Sequence, residues 1–292
     1  MRFTMIQHDI KRALAAMPVS LDPKFSIATK QLYEPLLVHA NEGVMAERDI
    51  AYGPHERHKL DVFHVPGTNP SAILIYVPGG GFTGGDKRSF GHLGGYFARR
   101  GILGITMNYR LSPEIAWPAG AQDVAAAVAW AKANAATYGA DASRIVVFGH
   151  SAGASHAASF LFDPEIHGDR QVAGGILVSG AAYALPPDMS VTAPNIQAYF
   201  GTDNAQVARR SAVSHVAGTK VPVMLAVAEL DPGLLITPTL ALAAALTIRD
   251  NRCPPLYRLE GHNHFSPPCS FGTSDDELGS ACIRFIMGLQ TV

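Results

Sequence analysis

Charge is scarce in this chain, and neither sign dominates. Asp, Glu, Lys and Arg make up 16% of 292 residues, 23 basic against 24 acidic, for a formal net charge of −1. Like charges are not gathered into runs. Such a chain has little with which to attract a phosphate backbone or an anionic bilayer, so neither nucleic acid nor a membrane is expected as a partner. Cysteine is scarcer still, with Cys253, Cys269 and Cys282. An odd, small count in a long chain excludes a disulfide framework and favours free thiols in a reducing compartment. Apolar runs all fall short of the roughly 20 residues that cross a bilayer. The N-terminal MRFTMIQHDIKRALAAMPVS scatters charges where a secretory leader needs an unbroken apolar stretch. These absences lead to the expectation of a cytoplasmic protein; a homodimer is compatible with all of them.

What is abundant is apolar. Hydrophobic residues are 48% of the chain, enough for a single α/β domain over 1–292 with a well-buried core. Residues 1–45 precede the main strand signals and carry two short helices broken by Pro18, Pro23 and Pro35, which reads as an N-terminal arm or cap. KLDVFHV then alternates apolar and polar residues, as a half-buried strand does. SAILIYV is an unbroken apolar run ending at Pro78-Gly79-Gly80-Gly81, the mark of a fully buried strand entering a turn.

From there strand and helix alternate. FGHLGGYFARR reads as a helix, GILGITMNYR as a strand, and PAGAQDVAAAVAWAKANAATYG as a long helix stopped by Gly139. RIVVFG is a buried strand and SAGASHAASFLF a helix beginning abruptly after it. GGILVSG, VPVMLAVAEL and PPLYRLEG are further strands, with helices at about 236–250 and 275–289. This rhythm predicts an α/β fold with a mostly parallel, doubly wound sheet flanked by helices. Residues 181–218, rich in Pro, Ala and polar residues between two strands, are the candidate cap insertion over the site.

The chemistry is carried by Gly149-His150-Ser151-Ala152-Gly153, which fits G-x-S-x-G between a strand and a helix. The chain must reverse so tightly there that flanking side chains would collide, while the serine is held up above the sheet in a strained conformation. A serine hydroxyl is a weak nucleophile and needs a base within reach. In this strand order an acid and then a histidine follow the serine. Asp231, before Pro232-Gly233 at the end of VPVMLAVAEL, is the acid; Glu229, two residues earlier on the same strand face, competes but lies farther from the loop. Either His262 or His264 in EGHNHFS supplies the base. Their spacing also suits a metal pair, but no further ligand set accompanies them, so neither metal nor other cofactor is expected. The glycines after the first buried strand can turn backbone N–H groups towards an oxyanion, joined by the N–H of Ala152.

Four segments in order, YGPHERHKLDVFHVPG, YVPGGGFTGGDK, MNYRLSPEIAWPAGAQDVAAAVAW with GHSAG, and AELDP with EGHNHFS, resemble the esterase and lipase branch of the α/β-hydrolases. The hormone-sensitive-lipase-like, feruloyl-esterase-like and kynurenine-formamidase-like enzymes are the similar groups. The resemblance runs from about residue 50 to the C-terminus. It implies an α/β-hydrolase fold and a carboxylesterase that forms an acyl-enzyme on Ser151. It assigns the base to His264, which stands directly before Phe265, and leaves His262 as a loop residue. It assigns the oxyanion hole to Gly80, Gly81 and Ala152. The family's His-Gly-Gly-Gly reads Pro78-Gly79-Gly80-Gly81 here, so the loop must be braced differently.

The expected partner is a small-molecule ester or amide. A carboxylesterase is the first reading; an amidase or arylformamidase on the same triad, which must protonate a poor amine leaving group, is the second. A silent hydrolase-fold binding protein is the third, opposed by serine, acid and histidine all standing in order. Phe82, Trp117 and Phe200, with Phe90 and Phe271, are equally suited to lining an apolar substrate pocket and to the core.

Overall fold

The computed structural model describes residues 2–168 and 172–290. Its strands are β1 (Met45–Ala51), β2 (Lys59–His64), β3 (Ile73–Val77), β4 (Leu103–Met107), β5 (Ile145–His150), β6 (Gly174–Val178), β7 (Val223–Leu230) and β8 (Leu256–Asn263). They form one sheet in the order β1-β2-β4-β3-β5-β6-β7-β8. β2 pairs antiparallel with β1 and β4, and the pairs from β4 through β8 are parallel. The helices are α1 (Arg2–Ala15), α2 (Pro23–Tyr33), α3 (Gly91–Ala98), α4 (Ala119–Asn134) and α5 (Ala152–Phe162). They continue with α6 (Pro164–His167), α7 (Pro194–Phe200), α8 (Val207–Arg210), α9 (Gly233–Asp250) and α10 (Glu277–Gly288). This is the helix-flanked, mostly parallel sheet that the alternation implied.

The central strands are buried on both faces, which is why they read as unbroken apolar runs rather than alternating ones. Ile73, Ile75 and Val77 of β3 pack on one side with Val124 and Val128 of α4 and Ala154 and Ala158 of α5. Leu74 and Tyr76 pack on the other with Leu93 and Phe97 of α3 and Ile286 of α10. α5 is buried along its whole length. A helix in that position must be built from small residues, and AGASHAAS is what the sequence provides.

Three features depart from the reading of the sequence. β1 is an added edge strand whose sequence, MAERDIA, is exposed at nearly every position. It has no buried face and so carries no periodic signal. α9 starts at Gly233, about a turn earlier than the sequence suggests, because Pro232 ends the loop and the helix begins at once. By length and composition α9 could cross a bilayer; here Leu242 and Leu246 pack on the sheet beside Leu225. β7 has a register irregularity between Ala228 and Leu230, which matters for the acid below.

The N-terminal residues are docked to the body. Ile10 and Leu14 of α1 and Tyr33 of α2 pack with Cys269, and Lys11 pairs with Asp275 at 3.2 Å. Residues 181–218 lie beside the C-terminal ends of the strands. Ile196, Tyr199 and Phe200 of α7 pack in one cluster with Phe82 and Ala152. The three cysteines are free, Cys253 exposed and Cys269 and Cys282 buried.

Candidate active site

Ser151 stands between β5 and α5 with φ 56° and ψ −123°, in a backbone region that side chains rarely occupy. The two glycines flanking it have no room for anything else. A Cβ on Gly149 would lie 2.4 Å from Ala154 Cα, and one on Gly153 would lie 2.1 Å from Val77 O. The turn is tied to the neighbouring strand by Ser151 N–H donating to Val178 O at 2.9 Å.

Ser151 Oγ is 2.9 Å from His264 Nε2, and His264 Nδ1 is 2.9 Å from Asp231 Oδ1. A carboxylate only accepts, so Nδ1 carries the proton and Nε2 is free to accept from the serine hydroxyl. His264 and Asp231 are buried while Ser151 is half-buried, leaving the serine hydroxyl as the accessible end of the hydrogen-bonded chain. Asp231 Oδ2 is held in turn by Ser179 Oγ at 2.6 Å and by Ala228 N–H at 2.8 Å. Ser179 itself has φ 53°. Two donors on the oxygen that His264 does not use fix the carboxylate's plane.

Glu229 is engaged elsewhere. It pairs with Arg258 at 2.7 Å and accepts from Gly261 N–H at 2.7 Å. Simple alternation puts both acids on one face; the register irregularity in β7 separates them. Asp231→Asn should therefore lower kcat by about 10²–10⁴, because the amide favours the wrong imidazole tautomer. Glu229→Gln should stay within about threefold of the parent in the same ester assay. A reversed ranking would refute the assignment of the acid.

The two histidines of the H-x-H segment face different partners. His262 Nδ1 is 2.8 Å from Ser266 Oγ and its Nε2 is 3.0 Å from Asp275, a pair linked onward to Lys11 of α1. Asn263 accepts from Phe265 and Ser266 N–H and donates to Thr29 Oγ1 at 2.9 Å. The loop that carries His264 is thus pinned to the N-terminal helices. Among the described residues no group of three or more His, Cys, Asp or Glu has the geometry of a metal site.

The glycine loop reaches Ser151. Gly79 lies against it, a Cβ there falling 2.9 Å from Ser151 Cβ. Turn bonds from Thr83 and Gly84 N–H end on Gly80 O, whereas the N–H groups of Gly80, Gly81 and Ala152 donate to no backbone carbonyl among the described residues. With Pro78 in place of histidine, the loop is braced by its carbonyls. Tyr109 Oη donates to Pro78 O at 2.9 Å, Ser112 N–H to Phe82 O at 2.9 Å, and Arg57 Nη2 to Gly85 O at 2.8 Å. Just beyond, the Lys87 ammonium, 1% exposed, is buried against Asp61 of β2 and anchors the end of the loop.

Of the aromatics considered for the pocket, Phe82 and Phe200 are 2% exposed. Phe82 stacks on Tyr199 with centroids 5.0 Å apart, edge-on to Phe200 and to His156. Trp117 is half-buried against the same cluster, under the Arg209 guanidinium. Phe90 and Phe271 lie in the core on the α3 and α10 side of the sheet.

His150, Ser179, Asn195 and Tyr109 touch this machinery without having been singled out in the sequence. His150 Nε2 donates to the carbonyl of His264 at 2.9 Å, and the two rings stack at 5.0 Å. Burial first, and then His264 itself, push the His150 pKa down to about 3, so it stays neutral. Its place inside G-H-S-A-G was the one available signal; the others act through contacts distant in sequence.

His156, just over one turn into α5, is caged by Tyr109, Tyr199 and Phe82, and neither ring nitrogen has a partner among the described residues. Burial pushes its pKa down to about 3. The folded value lies below the unfolded one near ~6.5. Its stability contribution is therefore whole above that pH and is lost as the unfolded chain takes up a proton, between about 6.5 and 3. Relative to pH 7, His156→Phe should spare about 2–3 kcal/mol of unfolding free energy at about pH 4.5. Urea titrations of both proteins at the two pH values read this directly; parallel losses would contradict it.

A cavity of about 1030 Å³ lies at the other end of the sheet, lined by Val172, Val223, Pro255 and Arg249 near the strands' N-terminal ends. Open α/β sheets bind ligands outside the carboxyl ends of their strands, where Ser151, Asp231 and His264 lie.

The family model described as BD-FAE matches residues 60–162. Over 110 residues the chain is 39% identical to LipM of Mycobacterium tuberculosis, a probable carboxylic ester hydrolase, covering 36% of this chain and 26% of that protein. It is 40% identical over 115 residues to esterase LipQ of the same organism, covering 38% and 27%. The chain thus spans about a quarter of the length of these curated relatives. Among solved structures, esterase B from Lactobacillus rhamnosis superposes with a TM-score of 0.73 at 19% identity, over 95% of each chain. A bacterial heroin esterase superposes with a TM-score of 0.72 at 21% identity, over 100% of each. Over the matched third of the chain the sequence is similar to carboxylic ester hydrolases, and the chain as a whole shares the α/β-hydrolase fold of the solved esterases.

Proposed function

We propose that this chain hydrolyses carboxylic esters of small acyl groups, with Ser151 as nucleophile, His264 as general base and acid, and Asp231 orienting the imidazole. The single observation that carries the reading is the unbroken hydrogen-bonded chain from Ser151 Oγ through His264 to a buried, doubly held Asp231. His264 Nε2 takes the hydroxyl proton as Oγ attacks the ester carbonyl carbon. The negative charge that develops on the carbonyl oxygen is met by the N–H groups of Gly80, Gly81 and Ala152, each donor of this kind being worth about 3–4 kcal/mol. Collapse of the tetrahedral intermediate breaks the bond to the alcohol, which leaves with the proton from Nε2, and the acyl group stays on Ser151. Water then attacks the acyl-enzyme, giving a proton to Nε2; the acyl–Oγ bond breaks, Ser151 Oγ takes that proton back and the carboxylic acid leaves.

The test is a series of p-nitrophenyl esters of increasing acyl length, run beside the matching anilides and an aryl formamide. The reading predicts steady ester turnover with a preference for short acyl chains. Turnover of the anilides or formamide in excess of the esters would replace it with the amidase reading. No turnover of any of them, with the protein folded, would replace it with a binding role.

A further inference from the structure

The oxyanion loop is held by its carbonyls, and most of the groups holding it belong to the sheet's own loops. Tyr109 and Ser112 follow β4, and Arg57 precedes β2. The fourth comes from elsewhere: Asn195 Nδ2, on α7, donates to Gly81 O at 2.9 Å. Because the acceptor is a carbonyl, the amide nitrogen must face it. The contact is close enough that a Cβ on Gly81 would sit 3.1 Å from Nδ2.

The peptide that Asn195 holds is the one most in need of holding. It joins Gly81, at φ 60°, to Phe82, at φ 68°. Glycine occupies that region freely, but phenylalanine does so only where its surroundings compel it. Phe82 is compelled on its far side by Ser112 N–H and by its stack on Tyr199. Rotation of the Gly81–Phe82 peptide would relax Phe82 and turn Gly81 out of its present conformation. Asn195 opposes that rotation. α7 is itself seated by two backbone donors around the start of α4, Trp117 N–H to the Tyr199 carbonyl at 2.8 Å and Gly120 N–H to the Tyr199 hydroxyl oxygen at 3.0 Å.

We propose that Asn195 is a positioning residue for the oxyanion loop, so that the loop's donor geometry depends on α7 being seated over the site. The inference rests on the reading of Gly80, Gly81 and Ala152 as oxyanion donors. It also gives α7 a task beyond packing on Phe82 and Ala152, since a substrate too large to leave α7 in place would meet a poorly formed hole.

Asn195→Asp and Asn195→Ala test it. The aspartate is isosteric, and when ionised it cannot donate. Both variants should lose about 10- to 100-fold in kcat, between a displaced donor and a deleted one, with KM for p-nitrophenyl acetate within about threefold. The inhibition constant for an aryl trifluoromethyl ketone, which forms a tetrahedral adduct on serine, should rise by the same factor. The melting midpoint should stay near that of the parent. Should Asn195→Ala fail to fold, Asn195→Asp carries the test. Values of kcat and inhibition constant within twofold of the parent would overturn the inference, as would a rise in KM with kcat intact, which would make α7 a substrate wall only. A parent protein that neither turned over the ester nor bound the ketone would overturn the underlying oxyanion reading, and this inference with it.

Discussion

Ser151→Ala should lower kcat for a p-nitrophenyl ester by about 10⁴–10⁶ and leave the fold nearly unchanged. The asymmetry follows from what the hydroxyl touches. Ser151 Oγ bonds to His264 Nε2, whereas the turn itself is held by the backbone bond to Val178 O and by glycines that have no room for a Cβ. Alanine inherits the same strained backbone angle, so removing one oxygen alters the chemistry and little else. Parallel measurement of kcat and of the urea midpoint separates the two effects. Residual activity above a few per cent of the parent would remove Ser151 from the role of nucleophile.

The second large effect divides the two histidines. His264→Ala should silence the enzyme at every pH, because no other imidazole among the described residues bridges Asp231 and Ser151. His262→Ala should act on stability instead. It removes a buried contact to Ser266 and a buried hydrogen bond to Asp275, at a cost of about 1–3 kcal/mol. Asp275 keeps Lys11. The folded fraction should retain most of its kcat, though the loop carrying His264 loses one of its pins. Active-site titration normalises the rates to folded protein, so kcat per site and the melting midpoint can be read apart. A silent His262→Ala beside an active His264→Ala would reverse the assignment and leave the serine mechanism in place.

How far this was legible in the sequence depended on whether a feature is local. Strands β3, β5, β6 and β7 declared themselves because burial on both faces demands continuous apolar runs. β1 did not, because an exposed edge strand needs no pattern. The nucleophile turn was legible because its steric demands fall on residues adjacent in sequence, Gly149 and Gly153. The choice of His264 over His262 was not legible from direction, since residues two apart in an extended segment point alike; only the resemblance to the H-F segment of related esterases separated them. In the structure they diverge because the loop turns tightly after Asn263, whose side chain caps the N–H groups of Phe265 and Ser266. The preference for Asp231 rested on its nearness to the loop. The reason Glu229 is diverted, a register irregularity in β7, has no sequence signature of its own. Ser179 and Asn195 reach their partners across 52 and 114 residues, and nothing at their own positions announces it.

The most direct test of the central claim is covalent. The protein should be treated with an alkyl fluorophosphonate, its intact mass measured, and the modified peptide sequenced by mass spectrometry. The account predicts one phosphonyl group per chain, on Ser151, with loss of ester turnover in step with labelling, no labelling of Ser151→Ala, and much slower labelling of His264→Ala. An adduct on any other residue that tracked the loss of activity, or an active protein that took up no label, would contradict it.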